Sequence, residues 1–80
     1  MTEQENKIRK DFSVRLLMAA DARGKSIGQI SRAMNRSNRT IYDYCYGYLP
    51  KVSTLFDLCE CLDVSADYLL GRTDKMEVNR

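Results

Sequence analysis

The chain has 80 residues, with 13 basic and 11 acidic side chains, a net charge of +2, no histidine and no tryptophan. That length makes one small domain, which buries only about 60% of the surface its unfolded chain exposes. There is no histidine, no glycine-rich phosphate loop and no carboxylate pair in an evident apolar cleft, so the sequence reads as that of a non-enzyme.

Cys45, Cys59 and Cys61 are odd in number and lack the spacing and the histidine of a zinc site. They read as small buried apolar residues, with a redox-sensitive thiol as the alternative, and neither a metal nor a cofactor is expected. No apolar run approaches the ~20 residues of a membrane span. No signal-peptide pattern precedes the fold, so no membrane partner is expected and the chain is assigned to the cytoplasm.

In chain order, residues 1–10 form an N-terminal extension, partly helical, whose first six residues are polar and expected to fray. From Lys7 the series Ile8, Phe12, Leu16, Ala19, Ala20 is one helical face, ended by Gly24 as a C-cap. Val14, Leu17 and Met18 lie opposite that face, where a monomer is expected to be polar. They are expected to be covered, either by a second subunit as an oligomer contact or by the chain's own tail through Met76 and Val78.

Ser26 with Gln29 is a capping box, so a second helix should begin at Ile27 and bury Ile30, Ala33 and Met34. Asn35, Arg36 and Ser37 interrupt the apolar face. Ser37 is an N-cap for a third helix, Asn38 to Tyr46, with Ile41, Tyr44 and Cys45 inward and Gly47 as left-handed cap. Residues 41–48 also alternate with period two, which is a strand pattern, but no second alternating stretch could pair with it. Two short helices joined by a tight turn form a helix-turn-helix, whose second helix enters the major groove of DNA.

After Pro50, the series Val52, Leu55, Phe56, Cys59, Leu62 predicts a fourth helix ended at Asp63. Val64 and Ser65 then form a staple and N-cap for a short fifth helix that meets Val64 through Leu69 and closes at Gly71. Residues 72–80 are a charged tail, which leaves 11–71 as the domain. The charge is unevenly distributed. Residues 1–21 balance at zero, residues 22–42 carry Arg23, Lys25, Arg32, Arg36 and Arg39 with no acid, and residues 43–70 carry Lys51 against five acids. A polyanion is drawn to the first face and repelled from the second, which orients an encounter.

Phe12 and Leu16, Gly24 with Ser26, Ile30, the run Ser37 to Ile41, Gly47, Pro50, the series Leu55, Leu58, Leu62, and Val64-Ser65 with Asp67 to Gly71 together resemble the helix-turn-helix domain of the phage repressor and Cro class, including XRE-type bacterial regulators. The resemblance covers about sixty of the 80 residues. It implies an all-α, five-helix bundle of the lambda-repressor-like kind that binds double-stranded operator DNA, usually as a homodimer, and controls transcription, with repression the expected sign. It places Asn38, Arg39, Tyr42 and Asp43 against bases and Ser26, Tyr46, Tyr48 and Lys51 against the DNA backbone, where Arg36 and Thr40 are expected as well. Four features depart from the family pattern: Ile27 where glutamine is common, a glycine at 28 inside the second helix, Asn35-Arg36 in place of glycine and an apolar residue in the turn, and Ala20 with Cys45 where some members hold an ion pair. No small-molecule effector is evident.

Chemically, Arg39 can donate two hydrogen bonds to a guanine edge, Asn38 can pair with adenine, Tyr42 can lie on a thymine methyl and Asp43 can accept from cytosine. Asp43 is also expected to hold the Arg39 fork toward its guanine. The plainer readings are an ordinary intrahelical ion pair between those two residues and surface stacking of Tyr42 on Tyr46. The alternative function is a protein-interaction module of antitoxin or anti-repressor type on the same fold, with Val14, Leu17 and Met18 as its surface.

Overall fold

The computed structural model describes residues 2–78. Its five helices are α1 (Glu3–Ala22), α2 (Ile27–Ala33), α3 (Asn38–Cys45), α4 (Val52–Leu62) and α5 (Ala66–Leu69), and the described residues contain no strand. The alternation over residues 41–48 is therefore carried by α3 and the loop after it. Serines start three of the helices: the Ser26, Ser37 and Ser65 side chains accept from the backbone N–H of Gln29, Thr40 and Tyr68. Ser26 also donates its own N–H to Gln29 Oε1 at 2.8 Å, completing the capping box.

All five helices end in the same way. The N–H just after the pivot of the turn returns to a carbonyl five residues earlier: Lys25 to Ala20, Arg36 to Ser31, Tyr48 to Asp43, Val64 to Cys59 and Arg72 to Asp67, at 2.8–3.1 Å. The pivot of each turn has positive φ. Gly24, Gly47 and Gly71 supply three pivots, while Asn35 (φ 55°) and Asp63 (φ 53°) supply the others. Asn35 thus performs the function of the glycine it replaces, because its short polar side chain tolerates the left-handed region.

α1 packs on α3 and α5, α2 on α3 and α4, and α4 on α5. Phe12, Leu16, Ala19, Ile30, Ile41, Leu58, Leu62, Val64, Tyr68 and Leu69 form the core, each large one contributing roughly 1.5–3 kcal/mol by leaving water. The three cysteines are unpaired and half-buried, with Cys45, Cys59 and Cys61 packed against this cluster.

Four expectations need correction. α1 starts at Glu3 instead of Lys7, because Thr2 caps it through the Glu5 N–H and two acids occupy its first turn. α2 buries Ile30 and Ser31, leaving Ala33 exposed and Met34 half-buried. α4 turns Thr54, Leu58 and Leu62 inward, so Val52 (82% exposed) and Phe56 (62%) stand in solvent. The tail does not cross the outer side of α1. It runs along α5 instead, where Arg15 holds it by Nη1 to Thr73 O and by an ion pair to Asp74 at 2.7 Å, and Ser65 N–H bonds Met76 O at 2.8 Å. Val14, Leu17 and Met18 accordingly remain 47%, 50% and 50% exposed.

Candidate nucleic-acid interface

The segment from Ser26 to Lys51 is held at each corner by backbone geometry. α2 ends on the left-handed Asn35, Arg36 N–H closes the turn on Ser31 O at 2.8 Å, and Ser37 opens α3. A second tie crosses between the helices: the buried Ser31 hydroxyl meets both Gly28 O (3.0 Å) and the Asn38 side-chain oxygen. A hydroxyl has one proton, so the pairing is satisfied in full when Ser31 donates to Gly28 O and the Asn38 amide turns to donate to Ser31. Either way, Asn38 is committed to fixing α3 on α2.

Of the four residues expected at bases, Arg39 and Tyr42 are exposed on α3, Asp43 is half-buried, and Asn38 is exposed but tied to Ser31. Arg39 and Asp43 form no ion pair among the described residues. The physical reason is that a basic residue one turn before an acid is the weaker orientation on a helix, and an exposed pair gains little over hydration. Tyr46 is 80% exposed, so it does not stack on Tyr42.

Among residues expected at the DNA backbone, Ser26 is occupied by its capping box and Thr40 shares a hydroxyl contact with Ser37 at 2.9 Å. Arg36 donates Nη2 to the buried Thr54 Oγ1 at 3.2 Å, which anchors the turn to α4 and explains why a threonine lies inside. Tyr48 and Lys51 are exposed, and Lys51 is the N-cap residue of α4 without a side-chain cap.

The basic segment is smaller as a field than as a sequence. Arg23 donates to Leu62 O and Asp63 O, both at 2.9 Å, and Lys25 donates to Cys61 O at 2.8 Å. These two cations cap the carbonyl end of α4, where the helix dipole is negative. Arg32 and Arg39 are left exposed with no side-chain hydrogen bond among the described residues, and Arg36 is partly engaged.

Sequence reasoning missed one feature. A cleft between α1 and the loop after α3 is lined by Arg9, Lys10, Ser13, Tyr46, Gly47 and Tyr48. Arg9 Nη1 donates to Gly47 O at 3.2 Å, and a side chain on the buried Gly47 would sit 3.5 Å from Arg9 O. Arg9 therefore positions the loop that carries both exposed tyrosines. Its place three residues before the core residue Phe12 was the only sequence signal, and it did not specify a partner. No helix among the described residues is long and apolar enough to cross a membrane, and no cluster of three metal-ligating side chains forms among them.

The profile of the helix-turn-helix family, of Cro/C1 type, matches residues 16–69, from the middle of α1 to the end of α5. Comparisons with curated proteins and with solved structures gave no match.

Proposed function

The chain belongs to the helix-turn-helix family of Cro/C1 type and is a DNA-binding regulator; on that premise, we propose that it reads a two-fold operator through α3 as a homodimer and represses transcription by occupying that operator. The supporting observation is the α3 surface: Arg39 and Tyr42 stand in solvent on a helix locked to α2 by the Asn35 turn and the Ser31–Asn38 contact. A helix fixed in this way enters the major groove with a set orientation.

Within this reading, Arg39 binds a guanine edge and Tyr42 a thymine methyl, while Asp43 accepts from cytosine or orients Arg39 once DNA has displaced water. Asn38 contributes to adenine recognition only through whichever amide group its Ser31 contact leaves free. Ser26, Arg36, Thr40, Tyr46, Tyr48 and Lys51 border the DNA backbone. One recognition helix covers only a few base pairs, so two copies should read half-sites about one helical turn apart.

Selection of bound sequences from random duplex, followed by footprinting across a salt series, tests this. Expected are a two-fold site and affinity that falls steeply with salt. The interaction-module reading draws on the uncovered Val14, Leu17 and Met18; absence of DNA affinity at low salt would favour it.

A further inference from the structure

We propose that the outer side of α1 is a self-complementary surface that takes a second copy of this chain, antiparallel, with Val14 of each copy against Leu17 of the other and Lys10 of each against Asp21 of the other. This names the contact behind the homodimer proposed above and rests on that reading.

At 100° per residue, Lys10, Val14, Leu17, Met18 and Asp21 fall in one stripe of α1, opposite Phe12, Leu16, Ala19 and Ala20. The apolar members are each about half exposed, and neither the tail nor any other described segment covers them. The charges are placed as an isologous pair requires. Val14 and Leu17 straddle a midpoint between residues 15 and 16. Lys10 and Asp21 lie at equal distances from it, about 8 Å along the helix on either side. A two-fold axis through that midpoint brings each lysine to the partner's aspartate and each valine to the partner's leucine, so one sequence supplies both halves of the contact. Neither Lys10 nor Asp21 has an ion-pair partner among the described residues.

The arrangement also suits DNA. Around α1, the loop with Tyr46 and Tyr48 lies on the side of Arg9 and Ser13, about a quarter turn from the stripe. α5 and the tail lie a quarter turn the other way, at Asp11 and Arg15, where Arg15 covers the Tyr68 ring at 4.6 Å and Asp11 faces Gly71. The two-fold axis of an antiparallel helix pair is perpendicular to the plane that holds both helices. It leaves the two loops on one side of the dimer and the two tails on the other. Both α3 C-terminal ends then face the same way, which one duplex demands. A single helix pair buries less than the ~1,200 Å² of a stable interface, so association is weak without DNA and is strengthened on an operator.

Another exposed apolar patch, Val52 and Phe56 beside Val78, has no comparable match of opposite charges and serves as the rival interface. Sedimentation of the full chain over a concentration series to about 1 mM provides the test. The wild type should self-associate, and Lys10→Glu or Asp21→Lys alone should weaken association about tenfold, because each turns two rim attractions into repulsions. An equimolar mixture of the two single variants should regain it, since every contact between them is again attractive. Both positions are exposed, so circular dichroism should show unchanged helix content. A strictly monomeric wild type, a mixture that fails to recover, or association that is lost with Phe56→Ser but kept with Lys10→Glu would overturn the proposal. Footprints that persist in those cases would leave the reading of DNA recognition intact and remove only this interface.

Discussion

Gly28→Ala separates a structural glycine from a functional one. Glycine inside a helix costs about 0.5–1 kcal/mol relative to alanine, and Gly28 lies in α2 without positive φ. A methyl group built there meets the flexible exposed end of Arg32, Nη1 at 3.4 Å and Cζ at 4.0 Å, and lies at an ordinary contact distance of 3.8 Å from the capping Ser26 Oγ. The fold therefore gives no reason for the missing side chain. Alanine should stabilise the domain by about 0.5–1 kcal/mol, raising Tm by roughly 2–8 °C for a domain of this size. The added methyl projects beside Ser26 and Arg32, on the side proposed to border DNA. Affinity for all duplex sequences should fall together, by about three- to tenfold, while Tm rises. Thermal unfolding by circular dichroism and titration of a fluorescent duplex read the two effects separately. A fall in Tm would show a steric need that the packing does not reveal and would refute the reasoning; unchanged affinity would remove the DNA backbone from this position.

Asp43→Ala should raise affinity for unrelated duplex yet lose discrimination at one base pair by roughly 1–3 kcal/mol, as should Arg39→Ala at the same or the adjacent pair, with a double mutant that loses less than the sum; uniform tightening with additive effects would make the acid incidental. Lys51→Ala should weaken all sequences alike and reduce the slope of log affinity against log salt by about 0.9, measured by the same titration. Gly71→Ala should destabilise more than Gly24→Ala by at least about 1 kcal/mol in denaturant melts, because both have positive φ but only Gly71 would bring a Cβ to 2.9 Å from Asp11 Cβ. Burial pushes the Cys45 and Cys59 thiols up, with Glu60 adding to the effect at Cys59. Their alkylation should be slower than that of free cysteine at pH 8 and should rise with pH past the ordinary thiol range; fast labelling at neutral pH would point to a reactive thiol instead.

The caps were legible because each is a local event. Ser26, Ser37 and Ser65 bond to an N–H three residues on, and Gly24, Gly47 and Gly71 stand where a helix must turn back, so three of the five helix starts, those of α2, α3 and α5, could be placed without knowing the tertiary structure. The inward face of α4 was not legible. Its apolar residues occupy more than half of the circumference, and periodicity cannot decide between Val52, Phe56, Cys59 and Thr54, Leu58, Leu62 when both series are helical. The decision comes from Arg36, which satisfies the Thr54 hydroxyl and makes a polar residue acceptable inside. Ser31 went unrecognised as a buried residue for the same reason, since its partners Gly28 O and Asn38 are set by how α3 crosses α2. Arg23 and Lys25 read as part of a DNA-facing field because a linear charge count cannot see that the end of α1 lies against the carbonyl end of α4.

The engagement of Arg23 and Lys25 at the end of α4 changes how recognition must work. Five cations without an acid suggest a domain that holds DNA by charge alone, yet two of them cap α4 and a third is bonded to Thr54. With Arg32, Arg39 and Lys51 as the freest cations near α3, one domain neutralises few phosphates, and each phosphate lost removes roughly one power of salt dependence from the affinity. A single copy is then a weak, salt-sensitive binder, and the proposed α1 pair is a weak dimer on the strength of one helix face. Neither equilibrium is strong alone, but each supplies what the other lacks: the operator holds two copies at high effective concentration, and the pairing doubles the phosphate and base contacts of the assembled complex. Under the proposed pairing, dimer formation and operator binding should occur together, and single-copy complexes on half-sites should not accumulate.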